Sequence, residues 1–339
     1  MMTEVVKVTD ENNNENKLLI DSFDSEPGYY CQVIRSMLTP GHETELVYWL
    51  KSFGLIPNTQ ICNNANINED CNKIMEWTPV KTIDYYQWKC RNCSGKKSIR
   101  ENSVFQDVKC NFKNSIRILL GWCKGYDAEL MANILGVKSR TVKVLYNAVS
   151  ATARKHLKSQ QNKKVGGPGI IVLVDTYPEG CTNSSRPNQA NRPILCIAEI
   201  KDIPPNYWFE ALNRYHRNNV QQIMDVKEHI LTVIQDVVVP GSILVSRQDS
   251  TLCSFFDLQK LSHIYPTIVS VEGLARHNSA NQEILANLEI IWKLALNVCE
   301  EAQFFNYEQV PNFFISQMWH SRFGNESFET LLNRLADLQ

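Results

Sequence analysis

The chain has no run of apolar residues approaching the roughly 18 that a membrane-spanning helix needs, so a membrane partner is not expected. It also has no signal segment at its start, since Met1 to Asn16 is acidic and Asn-rich. Secretion is therefore not expected either, and the nucleus or the cytoplasm is the implied location. Net charge is almost absent, with 35 Lys+Arg against 36 Asp+Glu and a formal value of −1. Cysteine, by contrast, is not scarce. Eleven cysteines, an odd number scattered through 339 residues without a secretory signal, argue for reduced thiols and a metal site rather than a disulfide framework. A hydrophobic content of 43% and a charged content of 21% belong to a globular chain long enough for two or three domains.

The near-zero net charge conceals a segregation. Residues 81–164 carry 18 Lys+Arg against 5 Asp+Glu, a net of +13, while the segments on either side are each at −7. A basic block between acidic ones is the electrostatic footprint of a nucleic-acid binder, with a solvated face that has no partner as the plain alternative.

Residues 1–20 are polar and predict disorder. A helical segment over 21–58 follows, in which Leu46, Trp49, Leu50 and Phe53 recur at helical spacing. Residues 59–110 hold Cys62, Cys71 and the C-x2-C pair Cys90 and Cys93 in "YYQWKCRNC". A C-x2-C knuckle lets two thiolates and nearby amides wrap one side of a tetrahedral zinc, so a zinc-ribbon-like unit is expected. The eight residues between Cys62 and Cys71 depart from a short knuckle, which leaves the first half of the site open; buried thiols without a metal are the alternative. Cys110 and Cys123 read as core thiols.

Over 111–160 the pattern is helical. "DAELMANIL" with Asp127 as N-cap, the turn "GVKS" and "RTVKVLYNAVSATARKHLK" form a candidate helix-turn-helix. Its second helix opens on Arg140, Thr141 and Lys143, where base-edge contacts are usually made. With Arg154, Lys163 and Lys164 these are the candidate contacts to double-stranded DNA. Self-association of the chain is left open.

From residue 165 the elements alternate. Strands are expected at 169–175, 194–200, 207–212, 242–246 and 267–271, with helices at 219–236 and 283–299. Residues 326–339 read as a C-terminal helix. Three strands, a helix, a strand, a connection, a strand and a long helix is the order of an α/β ribonuclease-H-like fold. In that arrangement acids from the first strand, the fourth strand and a late helix hold two Mg²⁺ ions for phosphoryl transfer. Ile170 to Val174 are continuously apolar, as in a strand buried on both faces, and Asp175 follows them.

Six stretches in order, "QWKCRNC" with "SIRENSVF", "LGVKSRTVKVLY", "VGGPGIIVLVD", "VVVPGSILVS", "NLEIIW" and "FFISQMWHSRFG", give the chain a resemblance to Merlin-type transposases and their ISXO-like bacterial insertion-sequence relatives. The likeness covers about residues 45–325. It implies a DDE-type catalytic domain of ribonuclease-H fold over 165–325, with Asp175 as the first metal-binding aspartate and Glu289, followed by Trp292, as the third acid. The position of the second aspartate is Arg247, and Asp249 reaches it only through a register shift. Thr176, Ala286 and Leu296 also depart from the family pattern, as does "CTNSSRPNQANRP" after the first strand. The expectation is a transposase-derived DNA-binding protein of the nucleus that has lost two-metal chemistry, with Asp175 kept as a turn cap or arginine partner. An active transposase using Asp175, Asp249, Glu289 and Mg²⁺ is the alternative, and a scaffold that binds only proteins is a third.

Overall fold

The computed structural model describes residues 28–63, 71, 73–159, 165–177, 193–203, 205–216, 218–276, 282–305 and 308–337. The segment 1–20 lies outside them, as do Lys163, Lys164 and all but the last residue of "CTNSSRPNQANRP". A π-type turn at Tyr30–Ile34 leads into the short α1 (Arg35–Met37) and then α2 (Glu43–Phe53). Leu46, Val47 and Leu50 form the buried face of α2, while Trp49 and Phe53 are half-buried with their ring centroids 5.1 Å apart. The helix stops where Gly54 takes a left-handed φ of 87°, which lets the Leu55 N–H return to the Leu50 carbonyl at 2.9 Å.

A small antiparallel sheet follows, with strands β1 (Glu76–Pro79), β2 (Tyr86–Lys89) and β3 (Lys96–Ser98) in that order. Trp77 faces Trp88 across the β1–β2 pair, and Lys51 of α2 sets its ammonium 4.2 Å from the Trp77 ring centroid, tying the sheet to the helix. Beyond β3 the buried guanidinium of Arg100 grips both carboxylate oxygens of Asp84, at 2.8 and 2.5 Å, and donates to the carbonyls of Val108 and Cys110. Every donor it directs inward finds an acceptor, which is what allows a cation to be buried there.

Three helices come next, α3 (Phe112–Cys123), α4 (Ala128–Leu135) and α5 (Ser139–Ser159). Asp127 caps α4 as its sequence predicts, its Oδ1 accepting from the N–H groups of Glu129 and Leu130. Gly136, at φ 62°, ends α4 in the left-handed conformation that a residue with a side chain adopts only at a cost. Cys110 and Cys123 are buried, as expected of core thiols.

The larger sheet is mixed. Its strands are β4 (Ile171–Tyr177), β5 (Ile194–Glu199), β6 (Tyr207–Ala211), β7 (Ile243–Ser246) and β8 (Ile268–Ser270), in spatial order β6-β5-β4-β7-β8. β4, β5 and β6 pair antiparallel, whereas β7 lies parallel to β4 and β8 parallel to β7. Residues on both faces of β4 are buried, and pairing with β5 carries the strand two residues past Asp175, to Tyr177 opposite Ile194. Asp175 therefore lies inside the strand and not at its end. α6 (Val220–Val237) links β6 to β7, and the short α7 (Phe255–Leu258) and α8 (Val271–Arg276) flank β8. The long α9 (Gln282–Glu301) packs on β4 and β5 through a buried stripe that includes Leu288, Ile291 and Ala295. α10 (Val310–Phe323) and α11 (Ser327–Ala336) then turn back to pack against α5, so the C-terminal helices join the helical segment to the α/β part.

Candidate functional site

Four cysteines converge beside the small sheet. The isolated bridge between Ile61 and Ile74, with Cys62 N–H on the Lys73 carbonyl and Met75 N–H on the Gln60 carbonyl, folds the first half of the ribbon back on itself. That antiparallel bridge draws the flanks of the two cysteines together, and the spacing that left the first half open does not keep them apart. On the other side the C-x2-C knuckle turns through Ser94 at φ 55°, with Cys90 N–H on the Gly95 carbonyl. The Sγ atoms of Cys62 and Cys93 are 3.4 Å apart and those of Cys71 and Cys90 are 3.6 Å apart, all four lying within 4.8 Å of one another. A tetrahedron of thiolates about zinc has S···S edges of ~3.8 Å, so the donor set fits a metal such as zinc. Three of the four residues are buried, and the amide of Asn92 donates to Cys71 Sγ at 3.3 Å, a contact that would offset the charge gathered on a metal-bound thiolate. Asn92 escaped the reading of the sequence, although its place inside the knuckle "KCRNC" was the signal for it.

The second site is Asp175, fully buried on β4. Its Oδ1 accepts from the Thr176 N–H at 2.8 Å and from Arg247 Nη2 at 3.3 Å; its Oδ2 accepts from Trp292 Nε1 at 3.1 Å. Arg247 Nε is also 3.1 Å from Oδ2, an electrostatic contact without the alignment of a hydrogen bond. Burial pushes the Asp175 carboxyl above the usual carboxylate range, and the Arg247 charge with these hydrogen bonds pulls only part of the way back. Arg247 thus occupies the ground beside Asp175, the arginine partner anticipated from sequence.

Neither of the other two acids joins it. Asp249 is exposed in the loop after β7. Glu289 is exposed on α9 and pairs with Lys293 at 2.8 Å, the ammonium holding its carboxyl below the ordinary value. Among the described residues the four cysteines form a group of His, Cys, Asp or Glu close enough to share an ion, and the three carboxylates do not. The helix phase explains part of this: Leu288, Ile291 and Ala295 face the sheet, Trp292 beside them reaches Asp175, and Glu289 falls on the outer side.

The candidate DNA contacts divide in the same way. Arg140 is exposed at the start of α5. Thr141, however, is buried with Val142, Leu145 and Val149, because one helical phase carries all of them to the inner face. It cannot reach a base edge from there, so that assignment is corrected. Lys143 reaches back to Glu129 at 2.6 Å, and Arg154 lies against the Pro311 carbonyl of α10 at 3.5 Å. Other cations of the basic block remain exposed, among them Lys81, Lys89, Lys96, Lys109, Lys138 and Lys155. Among the described residues no helix is long and apolar enough to cross a membrane.

No family model matches the chain. It is similar to Male abnormal protein mab-31 of Caenorhabditis elegans, with 23% identity over 241 residues that cover 64% of this chain and 51% of that protein. The chain spans about half the length of the curated relative it matches.

Proposed function

We propose that this protein is a DNA-binding protein with a zinc-bearing ribbon, a helix-turn-helix and a ribonuclease-H-like domain that does not carry out two-metal strand transfer. Three antiparallel strands followed by two strands parallel to the first support the ribonuclease-H-like reading, since the sheet order β6-β5-β4-β7-β8 puts the first strand at the centre. The resemblance to Merlin-type and ISXO-like transposases supports it as well. The observation that carries the loss of chemistry is the guanidinium of Arg247 against the Asp175 carboxylate. Two Mg²⁺ ions about 4 Å apart need the summed charge of several carboxylates. A fixed cation at the second position neutralises the first acid instead, and its own charge repels an incoming metal. A nuclear location follows from the DNA-binding reading.

Incubation of the full chain with its preferred DNA and Mg²⁺ or Mn²⁺ is expected to give no cleavage and no strand transfer. The Asp175→Ala variant should behave the same and bind DNA as before. Metal-dependent cleavage that disappears in that variant would reverse the reading in favour of an active transposase.

Binding itself should fall steeply with salt, because it draws on the exposed cations of the basic block. Arg140→Ala should cost about 1–3 kcal/mol on a specific duplex if its guanidinium reads a base edge. Electrophoretic mobility shifts at two salt concentrations measure both effects, and failure to bind any duplex at low salt would remove the proposal.

A further inference from the structure

A cavity of about 550 Å³ lies where the start of α4 and the first turns of α5 meet the end of α9 and the start of α10. It belongs to neither site described above. Its walls are aromatic: Tyr126, Tyr146, Phe305 and Phe313 line it, the last two with ring centroids 4.5 Å apart, and Phe304 stands at its edge almost wholly exposed. Its charge is opposite to that of the basic block around it. Asp127, Glu129 and Glu301 line it against one cation, Lys143, which is already engaged by Glu129 at 2.6 Å. Asp127 is a helix cap through one carboxylate oxygen, and Glu301 has no ion-pair partner among the described residues.

One residue of its wall, Tyr146, also carries an unmet polar group, which lies out of reach of solvent. The Tyr146 hydroxyl is buried and makes no hydrogen bond, although buried hydroxyls nearly always find a partner. Burial pushes the phenol well above its ordinary pKa, so it stays protonated. Aromatic walls and excess carboxylate together select against phosphate and for an organic cation, whose charge the rings and acids share. The volume suits a ligand of drug-like size, larger than a single inorganic ion needs.

We infer that this cavity binds an organic ammonium or guanidinium ion carried on an apolar body. Glu301 supplies the compensating charge and the aromatic walls hold the body. The inference stands apart from the DNA-binding reading and survives its failure.

Isothermal titration of the full chain with three matched probes tests it: 3-phenylpropylammonium, the neutral 3-phenylpropan-1-ol and the anionic 3-phenylpropanoate. The ammonium should bind about tenfold more tightly than the alcohol, and the propanoate should not bind. Glu301→Gln, a change at an exposed helix end that leaves the fold intact, should weaken the ammonium roughly fivefold and leave the alcohol unchanged. Phe304→Ala should weaken both. A glycine-flanked arginine peptide that displaces the ammonium would identify a protein segment as the source of the cation, and a peptide that does not would assign the site to free amines. Equal affinity for ammonium and alcohol, preference for the propanoate, no effect of Glu301→Gln, or no binding of any probe at millimolar concentration would each overturn the assignment.

Discussion

Replacing Cys90 by serine should release the metal and unfold the ribbon while the large sheet stays intact. Cys90 is wholly buried, with its Sγ 3.6 Å from that of Cys71, and among the described residues the group has no fifth His, Cys, Asp or Glu to substitute for it. Strands β1, β2 and β3 contain four, four and three residues, too few to bury a core of their own. A structural zinc contributes apparent folding energies of about 10–16 kcal/mol in zinc-finger peptides, and a hydroxyl is a far poorer ligand than a thiolate. Part of the ribbon would still be held from outside, because Trp77 and Trp88 pack under Lys51 and Arg100 anchors the following loop. Local unfolding is therefore expected, with β4 to β8 unaffected. Metal analysis should fall from about one zinc per chain to well under half, and hydrogen exchange should lose protection over residues 73–99 only. A chelator acting on the unaltered protein should reproduce the pattern. Full protection of the ribbon after metal removal would show that the thiols pack without an ion.

The parts of this architecture that could be read from the sequence are those whose cause is local. The apolar run before Asp175 marked a doubly buried strand, and Asp127 at the head of "DAELMANIL" marked a helix start, because both signals lie within a few residues of the feature they set. The parts that misled depend on partners far along the chain. β4 runs on to Tyr177 because β5 pairs with it there, a partner that "VDTY" does not contain, although Thr176 and Tyr177 are strand-favouring residues. Cys62 and Cys71 are eight intervening residues apart in sequence yet share a site, because Ile61 and Ile74 pair in an antiparallel bridge. Thr141 looked equivalent to Arg140, but one residue is about 100° of helix rotation, and the inward face is set by what α5 packs against. The cavity beside α4 joins residues of α4 and α5 to the end of α9 and the start of α10, so no short window of sequence contains it.

Arg247→Met should lower stability by about 2–3 kcal/mol at neutral pH, and the loss should shrink in acid. Removing one member of a buried ion pair costs about 3–5 kcal/mol when the remaining charge is stranded. The figure here is reduced because the Arg247 side chain is 37% exposed and Thr176 N–H and Trp292 Nε1 still donate to Asp175. The pH dependence follows from the raised pKa of Asp175, which burial causes. A carboxyl with a higher pKa folded than unfolded binds protons more readily in the native state, so stability declines as pH rises from the unfolded value of about 3.9 through the folded one. Without the guanidinium the folded pKa climbs further, the window of decline widens upward, and the variant separates from the parent as pH increases. Urea denaturation at pH 4.5 and 7 should therefore show a small difference at the lower pH and the full difference at the higher. Asp175→Asn in the same chain should restore part of the loss, since it removes the stranded charge while keeping the shape, although its single amide oxygen can accept from Thr176 N–H or from Trp292 Nε1 and not from both. Asp175→Asn alone should cost little, because the partly exposed guanidinium can turn to water. Equal stability of Arg247→Met and the parent at both pH values would mean that Asp175 is already protonated in the folded protein and that the arginine neutralises nothing. The case that a cation has taken the place of a metal ligand would then fail with it.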